Sequence, residues 1–185
     1  MIIISGPSTI GKNPFIYEVC KNFNFSYVTP LTTRQKRAEE IDKVDYTFLT
    51  KEEFKEKIRK NVIKQWDYCL KNYYGYSFDF PGDEDTITHG LSRMALRIKA
   101  LYPDSITTIF LYPKSIENIM ITLEKLYTGD MLLLRKTLVE EELCHSSLFD
   151  YCFTVDGLSI DLLQNDSVMG LLSKNQKWKT IFKIK

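Results

Sequence analysis

Ile2-Ile3-Ile4-Ser5-Gly6-Pro7-Ser8-Thr9-Ile10-Gly11-Lys12-Asn13-Pro14 is the stretch whose reading decides the fold. Ile2 to Ile4 is a β-branched run, apolar toward both faces, which suits a central strand of a parallel sheet covered on two sides. The spacing Gly6-x4-Gly11-Lys12 follows at once. From Asn13 to Phe23 the apolar residues Phe15, Ile16, Val19, Cys20 and Phe23 recur at helical spacing, and Pro14 suits a first helical turn. Strand, glycine loop and helix in this order form a phosphate cradle. The glycines let the backbone wrap an anion with its N–H groups inward, the lysine adds charge, and the helix N-terminus adds a favourable dipole. Gly6, Ser8, Thr9, Gly11, Lys12 and Asn13 are therefore the candidate ATP-phosphate residues. Asn13 stands where a Ser or Thr hydroxyl normally meets Mg²⁺. Its longer carboxamide leaves the productive seating of ATP with Mg²⁺ open.

Working outward, Phe25 to Thr29 reads as a second strand and the polar run Leu31 to Asp42 as an exposed loop. Tyr46 to Leu49 reads as a short strand. Thr50-x-x-Glu53 is a capping box that opens a helix to about Lys60. Ile63 to Tyr76 is aromatic-rich and mainly β, with Gly75 expected as a bend. Phe80 to Asp85 (FPGDED) is a break. Leu91 to Tyr102 reads as an amphipathic helix and Ile106 to Tyr112 as a buried strand. Helices are expected over Ser115 to Tyr127 and Leu132 to Cys144, a strand over Asp150 to Val155, and a last helix over Ser159 to Leu172. Strands alternating with helices predict an α/β fold, a parallel sheet flanked by helices. The stretch of about 31–80 is expected as an inserted, mainly β lobe.

The 185 residues suffice for one domain with a full core. A net charge of +1 gives no global attraction to nucleic acid or anionic membrane, so any phosphate recognition must be local. The four cysteines and two histidines make no zinc spacing, and no metal site is predicted from them. No stretch reaches membrane-spanning length, and the apolar start lacks a basic leader. The expected compartment is cytoplasmic.

A second cluster lies in the polar loop: Thr32-Thr33-Arg34-Gln35-Lys36-Arg37, then Glu40, Asp45-Tyr46-Thr47-Phe48, and Asn72-Tyr73-Tyr74-Gly75. With Gly6 to Lys12 these make four ordered motifs, G-P-S-x-x-G-K, T-T-R-x-x-R, D-Y-x-F and N-Y-Y-G, and the chain resembles the guanylate kinase family. Trp66, Tyr102-Pro103-Asp104, Pro113-x-Ser115 and Phe149-Asp150-Tyr151 fit as well. The likeness runs over residues 1–172 and is strongest in the first 80. It implies a P-loop core over about 1–30 and 85–172, a monophosphate-binding lobe over about 31–80, a reduced helical lid over about 116–140 and an extra tail over 174–185. It implies GMP or a related nucleoside monophosphate as acceptor and ATP with Mg²⁺ as donor. Arg34, Arg37, Tyr46 and Tyr74 would hold the acceptor phosphate, and Lys12 and Arg34 would be catalytic. The chemistry agrees: guanidinium forks give bidentate bonds to phosphate oxygens, and tyrosine hydroxyls add directional donors.

The resemblance also exposes departures. Where the family reads guanine through Ser, Glu and Ser or Thr, this chain has Pro30, Gln65 and Tyr76. Gln65 and Tyr76 remain candidate acceptor-binding residues with altered chemistry. The family's two strand-end acids fall on His89 and Leu91, with Asp83, Glu84 and Asp85 as an alternative metal site. Three lid arginines fall on Thr122, Leu126 and Thr137, with Lys125 and Arg135 nearby. Acceptor groups kept and transfer groups lost predict weak phosphoryl transfer. The alternative is an inactive binding module that recognises a nucleotide or a phosphorylated partner. The tail from Lys174 to Lys185, with Trp178, Ile181, Phe182 and Ile184 among lysines, reads as an added edge strand or as a segment that meets a partner or membrane surface.

Overall fold

The computed structural model describes residues 1–155. The helix expected over Ser159 to Leu172 and the tail beyond it lie outside the described residues. Strand β1 (Ile2–Ser5) is the middle of a five-stranded, all-parallel sheet. The order is β2 (Ser26–Tyr27), β7 (Thr86–His89), β1, β8 (Thr107–Pro113) and β9 (Tyr151–Val155). Ile3 and Ile4 are fully buried, and alternation sends them to opposite faces. Ile2 and Ile4 join one core with Ile16 and Val19 of α1 (Lys12–Phe23), Ile119 and Leu123 of α4 (Ile116–Leu126) and Val139 of α5 (Gly129–His145). Ile3 joins the other core, with Met94, Ala95 and Ile98 of α3 (Ser92–Leu101) and with Phe110. The apolar run thus reads as it does because both faces of β1 meet helices.

A second, four-stranded sheet has the order β4 (Thr47–Phe48), β3 (Leu31–Thr32), β6 (Asn72–Tyr76) and β5 (Gln65–Cys69). Strand β3 pairs parallel with β4 and antiparallel with β6, and β5–β6 is an antiparallel hairpin. Helix α2 (Lys51–Arg59) covers this sheet through Phe54, which packs with Leu31 and Ile63. Its capping box forms as expected: Thr50 Oγ1 accepts from Glu53 N at 3.1 Å and the Glu53 carboxylate accepts from Thr50 N at 2.8 Å.

Two expectations need correction, and one strand was not foreseen. Gly75 is not a bend. It lies inside β6, where a Cβ would stand 2.9 Å from both Ile63 Cγ2 and Phe54 Cζ, so its missing side chain lets α2 approach. The hairpin turns instead at Leu70 and Lys71, both with positive φ (50° and 63°). Leu31 and Thr32 are buried strand residues, not exposed loop, because Leu31 supplies the small core under α2. Strand β7 is an element that the pattern conceals. Its residues Thr-Ile-Thr-His are all buried, the polar ones included, because β7 lies between β1 and β2.

Candidate nucleotide site

The phosphate loop joins β1 to α1 at the C-terminal end of the parallel strands. Gly6 (φ 144°), Thr9 (φ 71°) and Gly11 (φ 88°) take positive φ and curl the loop. At Gly6 a Cβ would also stand 2.6 Å from the Leu111 carbonyl oxygen. Lys12 Nζ folds back to donate to the carbonyls of Gly6 and Pro7, the latter at 2.9 Å. Burial lowers its pKa, opposed by nearby Glu142 and aided by Arg37.

The loop forms one wall of a cavity of about 610 Å³ between the two sheets. Lys12, Arg34, Arg37, Tyr46, Tyr74, Tyr76, His89, Arg135 and Glu142 all line it, and Gln65 does not. Arg34 is held by both Glu40 oxygens (2.9 and 2.6 Å) and lies over the rings of Tyr46 and Phe48 at 5.3 and 5.6 Å. Burial works against the Arg34 charge, but the bonds to Glu40 outweigh it and raise its pKa. Glu40 is correspondingly held below the usual carboxylate range, despite its burial, by Arg34 and the Arg37 N–H. Tyr46 meets Tyr74 edge-on at 6.4 Å. Register explains the companionship of Arg34 and Tyr74: Thr32 pairs with Tyr74, and Arg34 follows two residues on, its N–H donating to Thr32 Oγ1 at 3.1 Å.

On the lid side, only one of the two basic residues near the lost arginine positions turns inward. Thr122 and Thr137 spend their hydroxyls on their own helices, on Asn118 O at 2.8 Å and Leu133 O at 3.1 Å. Leu126 and Lys125 are exposed. The guanidinium that reaches the loop comes from Arg135, whose side of α5 also carries buried Leu138, Val139 and Glu142. Helix phase presents 135 inward and turns 137 to solvent. Arg135 lies 4.0 Å from the Tyr127 ring centroid, with one terminal nitrogen 3.5 Å from Ser8 Oγ. Its Nε is buried without a hydrogen-bond partner. Arg37 donates to the Tyr127 hydroxyl at 3.1 Å, so Tyr127 links Arg37 to Arg135. Lys12, Arg34, Arg37 and Arg135 thereby line one cavity, in which Glu39, Glu40, Asp45 and Glu142 supply four carboxylates.

Glu142 is a functional candidate that the sequence reading passes over. It is almost fully buried, accepts from Ser92 N at 3.4 Å, and burial pushes it up to about 7, opposed mainly by Lys12. A charged residue seven positions after Arg135 on an apolar stripe is the signal that could have found it.

The residues around the loop do not fit a protein-held Mg²⁺. Asn13 commits its amide nitrogen to Asp45 at 2.8 Å, and Asp45 also accepts from Tyr17 and the Ile41 N–H. His89, at one family acid position, is held neutral: burial pushes it down to about 3, and its Nδ1 shares a hydrogen bond with Tyr27 at 2.9 Å. Leu91, at the other, is apolar. Asp83, Glu84 and Asp85 precede β7 and lie at the end of that strand opposite the loop. Among the described residues, no three His, Cys, Asp or Glu side chains converge as a metal site.

A phosphate loop on a parallel sheet, facing a separate arginine–tyrosine lobe across one cavity, defines a P-loop nucleotide-binding protein. The guanylate kinase family model matches residues 1–80. Guanylate kinase of Bacillus cereus is 31% identical over 171 residues, covering 86% of this chain and 82% of that protein. Guanylate kinase of Chlorobaculum tepidum is 32% identical over 166 residues, covering 85% of each. A crystal structure of guanylate kinase from Anaplasma phagocytophilum matches with a TM-score of 0.72 at 20% identity, over 95% of this chain and 85% of that one, a likeness of fold. The chain belongs to the guanylate kinase family. Among the described residues no helix is long and apolar enough to cross a membrane.

Proposed function

We propose that the protein binds a nucleoside monophosphate with its phosphate on Arg34, Arg37, Tyr46 and Tyr74, binds ATP on the Gly6–Asn13 loop, and transfers the terminal phosphoryl group slowly. The observation that carries this reading is the meeting of the four acceptor residues with Lys12 and Arg135 in one cavity. In the transfer step the acceptor phosphate oxygen attacks the terminal phosphorus of ATP, and ADP leaves. Phosphoryl transfer depends mainly on positioned charge. Arg34, oriented by its ion pair with Glu40, would hold the attacking phosphate, Lys12 would meet the donor phosphates on releasing the loop carbonyls, and Arg135, beside Ser8 of the loop, would reach the transferring group. Its unpartnered Nε is the group a transferring phosphoryl oxygen would satisfy. Mg²⁺ would be held by ATP and water rather than by this chain's side chains, and the lid offers one inward arginine. Both features favour slow turnover.

A second reading, an inactive module that binds a nucleotide or a phosphorylated partner, draws support from His89 and Leu91 at the family's acid positions. Turnover separates the two. With GMP and UMP as acceptors and ATP–Mg²⁺ as donor, ADP production is expected at least tenfold below the ~1–100 s⁻¹ of ordinary kinases and lost in Lys12→Ala. Ordinary turnover would remove the claim of weakness. No turnover with either acceptor, alongside intact binding, would favour the module.

A further inference from the structure

Of the carboxylates that line the cavity, three are already engaged or face solvent. Glu40 gives both oxygens to Arg34. Asp45 accepts from Asn13, Tyr17 and the Ile41 N–H. Glu39 is exposed. Glu142 is unlike all three. It is only 3% exposed, and among the described residues its one hydrogen bond comes from the Ser92 N–H to Oε1, at a long 3.4 Å. A carboxylate has room for about four hydrogen bonds on its two oxygens. Oε2 is thus left for a ligand, and a buried acceptor with so little hydrogen bonding gains most when a ligand completes it. Burial pushes the Glu142 carboxyl up to about 7, against Lys12, the Ser92 N–H and Arg93, which pull it down, and with Glu141, which pushes it further up.

Its place along the cavity fits the far end of a mononucleotide. Arg135, Leu138 and Glu142 stand at i, i+3 and i+7 of α5 and all line the cavity, so one face of that helix forms a wall. Where the wall starts, Arg135 meets Ser8 and, through Tyr127, Arg37. Glu142 follows about 10 Å further along the helix axis. That separation is of the order of the reach from the phosphate of a nucleoside monophosphate to the pairing edge of its base. The bond from Ser92 ties the Glu142 end of the wall to the first turn of α3, beside Leu91, which also lines the cavity.

We infer that Glu142 is the specificity-determining residue of the acceptor site, its carboxylate receiving the N1–H and amino group of a guanine. This rests on the proposed acceptor-phosphate site. Among the common bases only guanine presents two donors side by side on its pairing edge, matching the two acceptor oxygens of an ionised carboxylate. Adenine and cytosine offer one amino group beside a ring-nitrogen acceptor. Uracil and thymine offer one N3–H between two carbonyl oxygens, which a carboxylate repels. Each charge-assisted bond to a buried carboxylate discriminates by roughly tenfold to a hundredfold.

The test is calorimetric titration of GMP, IMP, UMP and inorganic phosphate into the wild-type chain and Glu142→Gln at pH 8, above the value to which burial pushes the carboxyl. IMP is GMP without the amino group. The wild-type chain is expected to bind GMP at least about tenfold more tightly than IMP, and IMP more tightly than UMP. In Glu142→Gln, which keeps the size of the side chain, the ratio of GMP to IMP affinity should fall toward one while phosphate does not weaken. Equal affinity for GMP and IMP in the wild-type chain overturns the inference, as does a preference that survives in Glu142→Gln. A uniform loss for phosphate and every nucleotide in the variant also overturns it, because Glu142 then serves only to hold the start of α3 or Lys12. Phosphate binding to the wild-type chain without nucleotide binding overturns it and leaves the acceptor-phosphate site standing. If neither phosphate nor any nucleotide binds, that site itself falls and the inference with it.

Discussion

The two ends of the cavity are built to different rules. At the phosphate end, each cation is positioned by another group: Arg34 by Glu40, Arg37 by Tyr127, Arg135 by Tyr127 and Ser8, and Lys12 by two carbonyls of its own loop. Around Tyr76, polar groups are tied to the protein itself, with Tyr76 on the His89 carbonyl, His89 on Tyr27 and the buried Glu142 carboxylate on the Ser92 N–H. Charge that is pre-organised for an anion survives changes in the rest of a ligand, because phosphate is common to every nucleotide. Base reading does not, because it depends on individual hydrogen bonds at fixed places. The difference teaches that the two parts of the cavity can be changed and tested separately.

The sharpest way to break the comparison is Arg135. If it serves the donor side, Arg135→Ala should lower single-turnover phosphoryl transfer by about 10³-fold while acceptor affinity changes little, measured by quench kinetics beside calorimetry. An equal loss in acceptor affinity would place Arg135 with the acceptor groups. Tyr74→Phe probes the boundary between the ends. Removing one hydroxyl aimed at a phosphate should weaken UMP and GMP alike, by about tenfold. A loss confined to one base would show that Tyr74 reads the base.

Glu142 sharpens the account through pH. Lys12, the Ser92 N–H, Glu141 and Arg93 face it, and burial pushes it up to about 7. A raised carboxyl pKa favours the folded state most when the group is protonated. Its contribution is complete below the ordinary carboxylate value of about 4.5 and is lost as pH rises through about 7. Thermal melts should therefore show wild-type stability falling relative to Glu142→Gln between about pH 5 and pH 8, by roughly 1–3 kcal/mol. A constant difference across that window would mean that Glu142 stays charged beside Lys12. The smallest effect is a control outside the cavity. Thr50→Ala removes the cap of α2 and should cost about 1 kcal/mol in denaturant melts without altering the ratio of UMP to GMP affinity.

The phosphate end was legible in the sequence because its pieces are local. Gly6, Gly11 and Lys12 lie within seven residues, and the helical spacing after them is unbroken. The doubly covered sheet followed from Ile2 to Ile4 for the same reason. Strand β7 was concealed because three of its four residues are polar, and only its position between β1 and β2 buries them. Gly75 misled because its role lies across the sheet, under Phe54 and Ile63. Of the two basic residues the sequence offered beside the lost lid positions, Lys125 and Arg135, only the phase of α5 tells that Arg135 is the one turned inward. Gln65 and Tyr76 were visible as departures. That Tyr76 fills the space and Gln65 lies outside the lining depends on hairpin register and on Gly90, neither of which a linear motif records.

The measurement that tests the central claim most directly is calorimetric titration of UMP, GMP and inorganic phosphate into the wild-type chain, Arg34→Ala and Arg37→Ala. The account predicts that each variant weakens all three ligands by a similar factor, about tenfold to a hundredfold, because both arginines hold the phosphate they share. Unchanged phosphate affinity in both variants would contradict it, and the cavity would then recognise its ligands by some other group.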